Sequence, residues 1–234
     1  MATGVVPVAE LRRFLGDAWL VAARDLRIEA RSRVVVDQVV PFALLVLVLF
    51  GFALDADHRT LRTFAPGLFW VAVLLSALLA VHRSASVDQS DGTLDALRMS
   101  GLPPSSLFLG KAAAVFVQLV LLEAVLVGGL LVLYGVEVVD PVLLVVAGLL
   151  AGVAVAAAGT LYGALASGLG VRETLLPILL LPVLAPVLIG ATRAFDDALG
   201  AAAVDGWAWT GLLAVAALVV TVVGALAHGV LIED

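Results

Sequence analysis

A carboxylate inside an apolar run is the first group in this chain with chemistry to offer. Glu123 stands alone between Ala112–Leu122 and Ala124–Val136, two stretches without any charge. An ionisable side chain within a membrane is costly and marks a functional site by default. No Lys or Arg lies at similar depth, so the carboxyl is expected to be protonated and bonded to a neighbouring helix. A transport-related polar site and a plain packing group both remain open readings of it. Ser167 and His228 could in principle form a hydrolytic pair. However, Leu165-Ala166-Ser167-Gly168 lacks the first glycine of the G-x-S-G nucleophile motif of intramembrane serine proteases. A phosphate-binding loop needs G-x-x-x-x-G-K-[ST], and the single lysine, Lys111, follows Gly110 without the hydroxyl residue or the upstream glycine. The chain therefore has no nucleotide site of this kind, and any ATP must act through another polypeptide.

The elements that position these groups follow from composition. Residues of the AVILMFWYC set make up 63% of the 234 residues, and charged residues only 14%. Soluble domains hold roughly 45–50% apolar and 25% charged residues. One core cannot hide so much apolar side chain, so a soluble enzyme is excluded and the bilayer is the solvent. With no cysteine, there is neither a disulfide framework nor a thiolate metal site.

A helix crosses the hydrocarbon core with about 20 apolar residues. Joined across Glu123, the uncharged runs predict six spans, at about 38–54, 64–82, 112–134, 141–167, 174–192 and 206–230. A β-barrel is excluded because its strands would alternate apolar and polar residues. The expected fold is an all-α membrane protein forming one domain over residues 1–234. With the first residues inside, ten of the 13 Lys and Arg fall in inner segments and three, Arg59, Arg62 and Arg193, in outer loops. This predicts cytoplasmic ends, with 55–63, 135–140 and 193–205 on the outer face. The last of these, with Phe195 and Leu199 beside Asp196 and Asp197, is expected to form a short interfacial or re-entrant helix.

Two further segments carry helical patterns. In 8–33, Leu11, Phe14, Leu15, Ala18, Trp19, Ala22 and Leu26 recur at helical spacing, with arginines mostly off that stripe. This is read as a basic amphipathic helix in the membrane interface rather than a signal peptide. Arg83–Gly110 forms the longest inner connection and contains the stretch Asp88–Pro104. Gly92-Thr93 can start a short helix there and Gly101 followed by Pro103 can end it. Leu94, Leu97 and Leu102 would supply its apolar face, with Asp95 and Arg98 as polar companions. A solvated loop is the plainer reading, and a docking peg for a cytoplasmic partner the sharper one.

Span four carries Gly148-x-x-x-Gly152 and Gly159-x-x-x-Gly163, a spacing that lets helices approach closely, within one bundle or between subunits. Pro177, Pro182 and Pro186 are expected to kink span five or open its helical ladder.

The run Phe64-Ala65-Pro66-Gly67-Leu68-Phe69-Trp70-Val71-Ala72, continued by Leu74–Ala80 and the Asp88–Pro104 stretch, resembles the CcmB family of cytochrome c maturation. Leu180–Ile189 resembles that family's fifth span, and Val204-Asp205-Gly206 matches just before the last one. The resemblance implies a permease subunit of an ATP-binding-cassette (ABC) system, in the inner membrane. It implies a separate CcmA-like ATPase, with CcmC-, CcmD- and CcmE-like proteins completing the assembly. Two copies per complex and contact with membrane lipid are implied, and no nucleic acid. The 8–33 helix then falls where such permeases have an elbow helix. Asp91, Gly92, Thr93, Leu94, Asp95, Leu97 and Arg98 fall in the coupling helix that docks the ATPase. The work would be haem export or release of a haem-loaded chaperone. No cofactor is expected to bind directly, haem being a handled ligand and ATP belonging to the partner. His58, His82 and His228 could each ligate haem iron, although a packing or interfacial role is the plainer reading. An exporter permease for another amphiphile, or a non-transporting scaffold subunit, are the alternatives.

Overall fold

Long apolar runs become helices here because a bilayer offers no water to bond free backbone groups. The computed structural model describes residues 8–33, 35–54, 58–90, 102–168 and 172–233. Within these, side chains are described except at 8–9, 11, 58, 82–90, 166–168, 172–177 and 229–233. The elements are α1 (Val8–Ser32), α2 (Val40–Ala53), α3 (His58–Ser90), α4 (Pro104–Gly129), α5 (Pro141–Gly168), α6 (Arg172–Ala198) and α7 (Gly206–Glu233). Single wide π turns, Val35–Val39 and Leu130–Tyr134, precede α2 and follow α4. Six segments are long and apolar enough to cross a membrane: Val35–Ala53, Arg59–Val81, Pro104–Tyr134, Pro141–Leu165, Ile178–Ala198 and Gly206–His228.

The helical segments outrun the uncharged runs at several charged positions. α4 begins at Pro104, ahead of Lys111, and α6 carries on past Arg193 to Ala198. Counting uncharged residues stops at the first charge, whereas a long cationic side chain can lie along apolar surface with its head outside. Hence Arg193–Ala198 are the last turns of α6, not a separate interfacial helix, and 199–205 is an irregular turn. α6 is also continuous through Pro177, Pro182 and Pro186. The coupling-helix residues Asp91–Gly101 lie outside the described residues.

Polar residues at one end of the bundle fix where the helices start. Asp140 Oδ1 accepts from the backbone N–H of Val142 and of Leu143, each at 3.0 Å, and Pro141 fills the first helical position. Asp205 Oδ1 caps α7 through Ala208 N–H at 3.1 Å, and Asp197 Oδ2 takes Gly206 N–H at 2.9 Å. Val139 N–H and Asp140 N–H both donate to the Ala198 carbonyl, at 2.8 and 3.0 Å. Arg62 reaches Glu137 at 3.4 Å. These bonds gather the start of α3, the α4–α5 loop and the α6–α7 turn at the same end. That agrees with the alternation expected of six crossings.

α5 is the central helix, touching α3, α4, α6 and α7. Its membrane segment is 67% buried, against 22% for α7 at the periphery. Ala147, Ala151, Ala154 and Ala158 face the core, where they meet Leu122 and Leu126 of α4, Phe69 of α3, Leu184 and Phe195 of α6 and Leu213 of α7. Small residues on α5 let four helices close on it at once. The outward faces carry exposed apolar chains, among them Leu45, Leu49 and Phe52 on α2 and Leu212, Leu218 and Leu226 on α7. Lipid is the solvent that such a surface needs.

Candidate functional site

Glu123 and the first glycine pair of α5 meet each other. A methyl group on Gly148 would sit 3.1 Å from Glu123 Oε2, and one on Gly152 would sit 3.3 Å from Oε1. The Gly148-x-x-x-Gly152 notch thus serves packing inside the bundle, admitting a carboxyl from α4. The second pair does likewise, since methyls on Gly159 and Gly163 would approach Val81 of α3 at 2.6 and 3.3 Å. Glu123 is only 7% exposed, and its Oε1 has no hydrogen-bond partner among the described residues. Glu123 also lies off-centre, 19 residues after Pro104 and 11 before Tyr134, because the helix begins eight residues before the uncharged run does.

An aromatic wall stands beside this carboxyl. The Phe195 ring lies 3.8 Å from the position of a Gly148 methyl. It packs on Phe69 with centroids 4.9 Å apart and edge-on to Trp70 at 5.1 Å. Phe69 and Trp70 themselves meet edge-to-face at 5.2 Å. All three rings are almost completely buried. Two come from the Phe64–Ala72 run and the third from the end of α6, so the run is a core-forming face of α3. Trp70 Nε1 and Ser76 Oγ are, like Glu123 Oε1, buried without a hydrogen-bond partner among the described residues.

Trp70 of this wall also borders a cleft of about 470 Å³ between α3 and α6, with Gly67, Trp70, Val71 and Leu74 on one side. Leu188, Ile189, Thr192, Arg193 and Asp196 form the other side. Arg193 Nη1 donates to Asp196 Oδ2 at 3.3 Å. The guanidinium side chain is about half exposed while the acid is turned inward.

At the opposite end of the bundle, His228 is buried against Phe108 with ring centroids 5.6 Å apart, and its Nδ1 is unpartnered among the described residues. The imidazoles of His58 and His82 lie outside the described side chains. No group of three or more His, Cys, Asp or Glu suited to hold a metal occurs among the described residues. Nearby, α1 lies along α4. A methyl on Gly110 would be 2.6 Å from both the Ala18 carbonyl oxygen and Val21 Cβ, so glycine there is what seats α1. Val21 and Ala22 are buried in that contact, while Leu15, Trp19 and Leu20 stay exposed. The apolar stripe of α1 therefore divides between the protein and its surroundings.

Sequence reasoning missed one further contact. Tyr134 Oη donates to the Leu47 carbonyl at 2.7 Å, a buried bond from the end of α4 to the middle of α2. The π turn at Leu130–Tyr134 carries that ring, and nothing in the local residue pattern announces it.

Residues 17–233 match the family described as CcmB protein. The chain belongs to the CcmB family. It is 33% identical over 179 residues to heme exporter protein B of Haemophilus influenzae, covering 75% of this chain and 79% of that one. The protein of the same name from Paracoccus denitrificans is 36% identical over 183 residues, covering 76% and 82%. That from Bradyrhizobium diazoefficiens is 36% identical over 169 residues, covering 71% and 75%. The resemblance drawn from the Phe64–Pro104 and Leu180–Gly206 motifs is thus upheld over most of the chain. The family's multi-pass membrane character agrees with the six long apolar helices.

Proposed function

We propose that this chain is the permease subunit of an ABC system that exports haem, or releases a haem-loaded chaperone, during cytochrome c maturation. The observation that carries this reading is family membership over residues 17–233, on a fold of six membrane-length helices. Energy comes from a separate CcmA-like ATPase, and CcmC-, CcmD- and CcmE-like proteins complete the machine. Two copies of the chain act per complex, surrounded by lipid and without nucleic acid. The chain holds no cofactor of its own: haem is the handled ligand, and ATP stays on the partner. The complex lies in the inner membrane with both described ends cytoplasmic, as the ten-to-three division of cations supports. α1 is the elbow helix, its exposed Leu15, Trp19 and Leu20 resting in the interface.

ATPase motion enters through the connection between α3 and α4. Leu94 and Leu97 insert into an apolar groove of the ATPase, with Gly92 and Thr93 starting the helix and Asp91, Asp95 and Arg98 at its rim. Burying two leucines supplies about 3–6 kcal/mol before association costs. Glu123, seated in the Gly148–Gly152 notch, is the candidate intramembrane polar site.

A bacterium deleted for its own family member tests the reading. Expression of this chain should restore covalently haem-bearing cytochromes on a haem-stained gel. The L94D/L97D variant should insert in the membrane yet lose the ATPase and fail to restore them. Cytochromes that stay absent with the native chain, inserted and bound to its ATPase, would refute the function. Normal maturation by L94D/L97D would refute the coupling assignment alone. A cysteine at position 95 should resist an impermeant thiol reagent in intact cells, and one at the exposed Val139 should react.

A further inference from the structure

The cleft between α3 and α6 has features of a lipid site. Its lining residues Gly67, Trp70, Val71 and Leu74 recur at helical spacing along α3, and Leu188, Ile189, Thr192, Arg193 and Asp196 do so along α6. Each row covers about two turns, or roughly 10–12 Å of groove. The groove opens sideways, since Val71 is 40% and Ile189 57% exposed. Leu74, Leu188 and Ile189 lie inside the membrane-length segments Arg59–Val81 and Ile178–Ala198, so the apolar stretch of the groove has acyl chains as its expected neighbours.

The end of the groove toward the 199–205 turn is polar. Asp196 is only 8% exposed and holds Arg193 by one nitrogen, Nη1. No other ion pair or hydrogen bond of the Arg193 side chain occurs among the described residues. With about half of its side chain exposed and one nitrogen engaged, the guanidinium keeps further donors unbonded among the described residues, and Thr192 lines the cleft beside it. A planar guanidinium held at one nitrogen by a carboxylate, with donors left over, suits a phosphate oxygen. The lining includes no His, Cys, Met or Tyr, so it offers no side chain of the kinds that ligate haem iron.

We propose that this cleft binds an anionic phospholipid, with an acyl chain along Leu74, Leu188 and Ile189 and the phosphate on Arg193. Asp196 acts as a positioning residue, turning the guanidinium toward the headgroup. A net negative headgroup is preferred over a zwitterionic one: the Asp196 carboxylate is turned inward and already met by Arg193, so it offers the cation of a zwitterion no open partner. The proposal is independent of the transport reading. It concerns a site on the subunit itself.

Trp70 lines the cleft and is almost wholly buried, so it reports on an occupant. In the W19F/W207F/W209F variant it is the only tryptophan left. That protein, in neutral-lipid nanodiscs, is titrated with phosphatidylglycerol or phosphatidylcholine carrying brominated chains, and quenching is read. Phosphatidylglycerol should quench at about five- to tenfold lower mole fraction. R193Q should abolish the preference while leaving weak quenching by both lipids, and R193K should keep part of it. L188F, which fills the groove, should suppress quenching by either lipid while the helical circular dichroism stays native. Native mass spectrometry of the detergent-purified chain should find phosphatidylglycerol retained by the native protein and lost from R193Q. Equal quenching by the two lipids, an unchanged preference in R193Q, or retention of a porphyrin in place of phospholipid would each overturn the assignment.

Discussion

Replacing Glu123 by leucine should stabilise the isolated chain. The side chain is 7% exposed and its Oε1 has no partner among the described residues. A buried acceptor left unmet costs about 1–3 kcal/mol. Within a membrane the unfolded reference also finds partners, and measured polar contributions average about 0.6 kcal/mol. Leucine is shorter than glutamate but slightly bulkier and carries no polar atom to leave unmet, so E123L should gain about 0.5–1 kcal/mol net of the repacking its branch requires against Gly148 and Gly152. E123Q keeps the shape and one unmet group, and should fall within about 0.5 kcal/mol of the native chain. E123A opens a cavity beside Gly148, Gly152 and Phe116, worth about 2–5 kcal/mol before the relief of Oε1 is credited. The glycine notch supplies an internal control. G148A places a methyl 3.1 Å from Oε2 and should cost about 1–3 kcal/mol in the native background. In E123A the same methyl enters the vacated space, so the double variant should be about 1 kcal/mol more stable than additivity allows. Unfolding in mixed micelles with rising dodecyl sulfate, followed by far-ultraviolet circular dichroism, measures all five variants. Loss of more than 1 kcal/mol in E123L would mean that the carboxyl has a donor. Additive behaviour of G148A and E123A would mean that the two residues do not meet.

The remaining predictions follow from single contacts. G110L should lift α1 from α4, so that a cysteine at the buried position 21, nearly unreactive in the native seat, becomes readily labelled by maleimide. D140A removes the acceptor for Val142 N–H and Leu143 N–H and should cost about 1 kcal/mol in the same unfolding assay. Arg62 and Glu137 form an exposed pair, 49% and 82% open, and a double-mutant cycle should return less than about 0.5 kcal/mol, shrinking further in salt.

The recognisable runs of the sequence turn out to do different physical work. Phe69 and Trp70, read as part of a family signature, are core rings that close on Phe195. Val204-Asp205-Gly206, another part of it, starts α7: Asp205 caps Ala208 N–H, and Gly206 leaves no room for a side chain beside Leu143 and Asp197. Gly110 and Lys111, dismissed as a nucleotide loop, include the glycine that seats α1. Composition could not reveal that role, because it depends on how closely a second helix, more than eighty residues earlier in the chain, approaches.

The sequence by itself determined that this protein is a bundle of six membrane-length helices, and to which family it belongs. Backbone polar groups in hydrocarbon must bond within their own segment, so an uncharged run of sufficient length has only the helix open to it. That constraint is local, and it can be read one run at a time. Its weakness is also local: counting stopped at Arg193 and Lys111, where long side chains let the helix continue. Tertiary structure alone decided that α5 sits at the centre, that its glycines receive Glu123 and Val81, and that the Tyr134 hydroxyl ends on the Leu47 carbonyl. It alone brought Trp70 and Arg193 to one cleft. These pairings depend on the rotation and depth of helices that are all apolar around most of their circumference. A periodic pattern fixes a buried face when the other face is polar. In lipid both faces are apolar, and only close packing between particular side chains chooses which one turns inward.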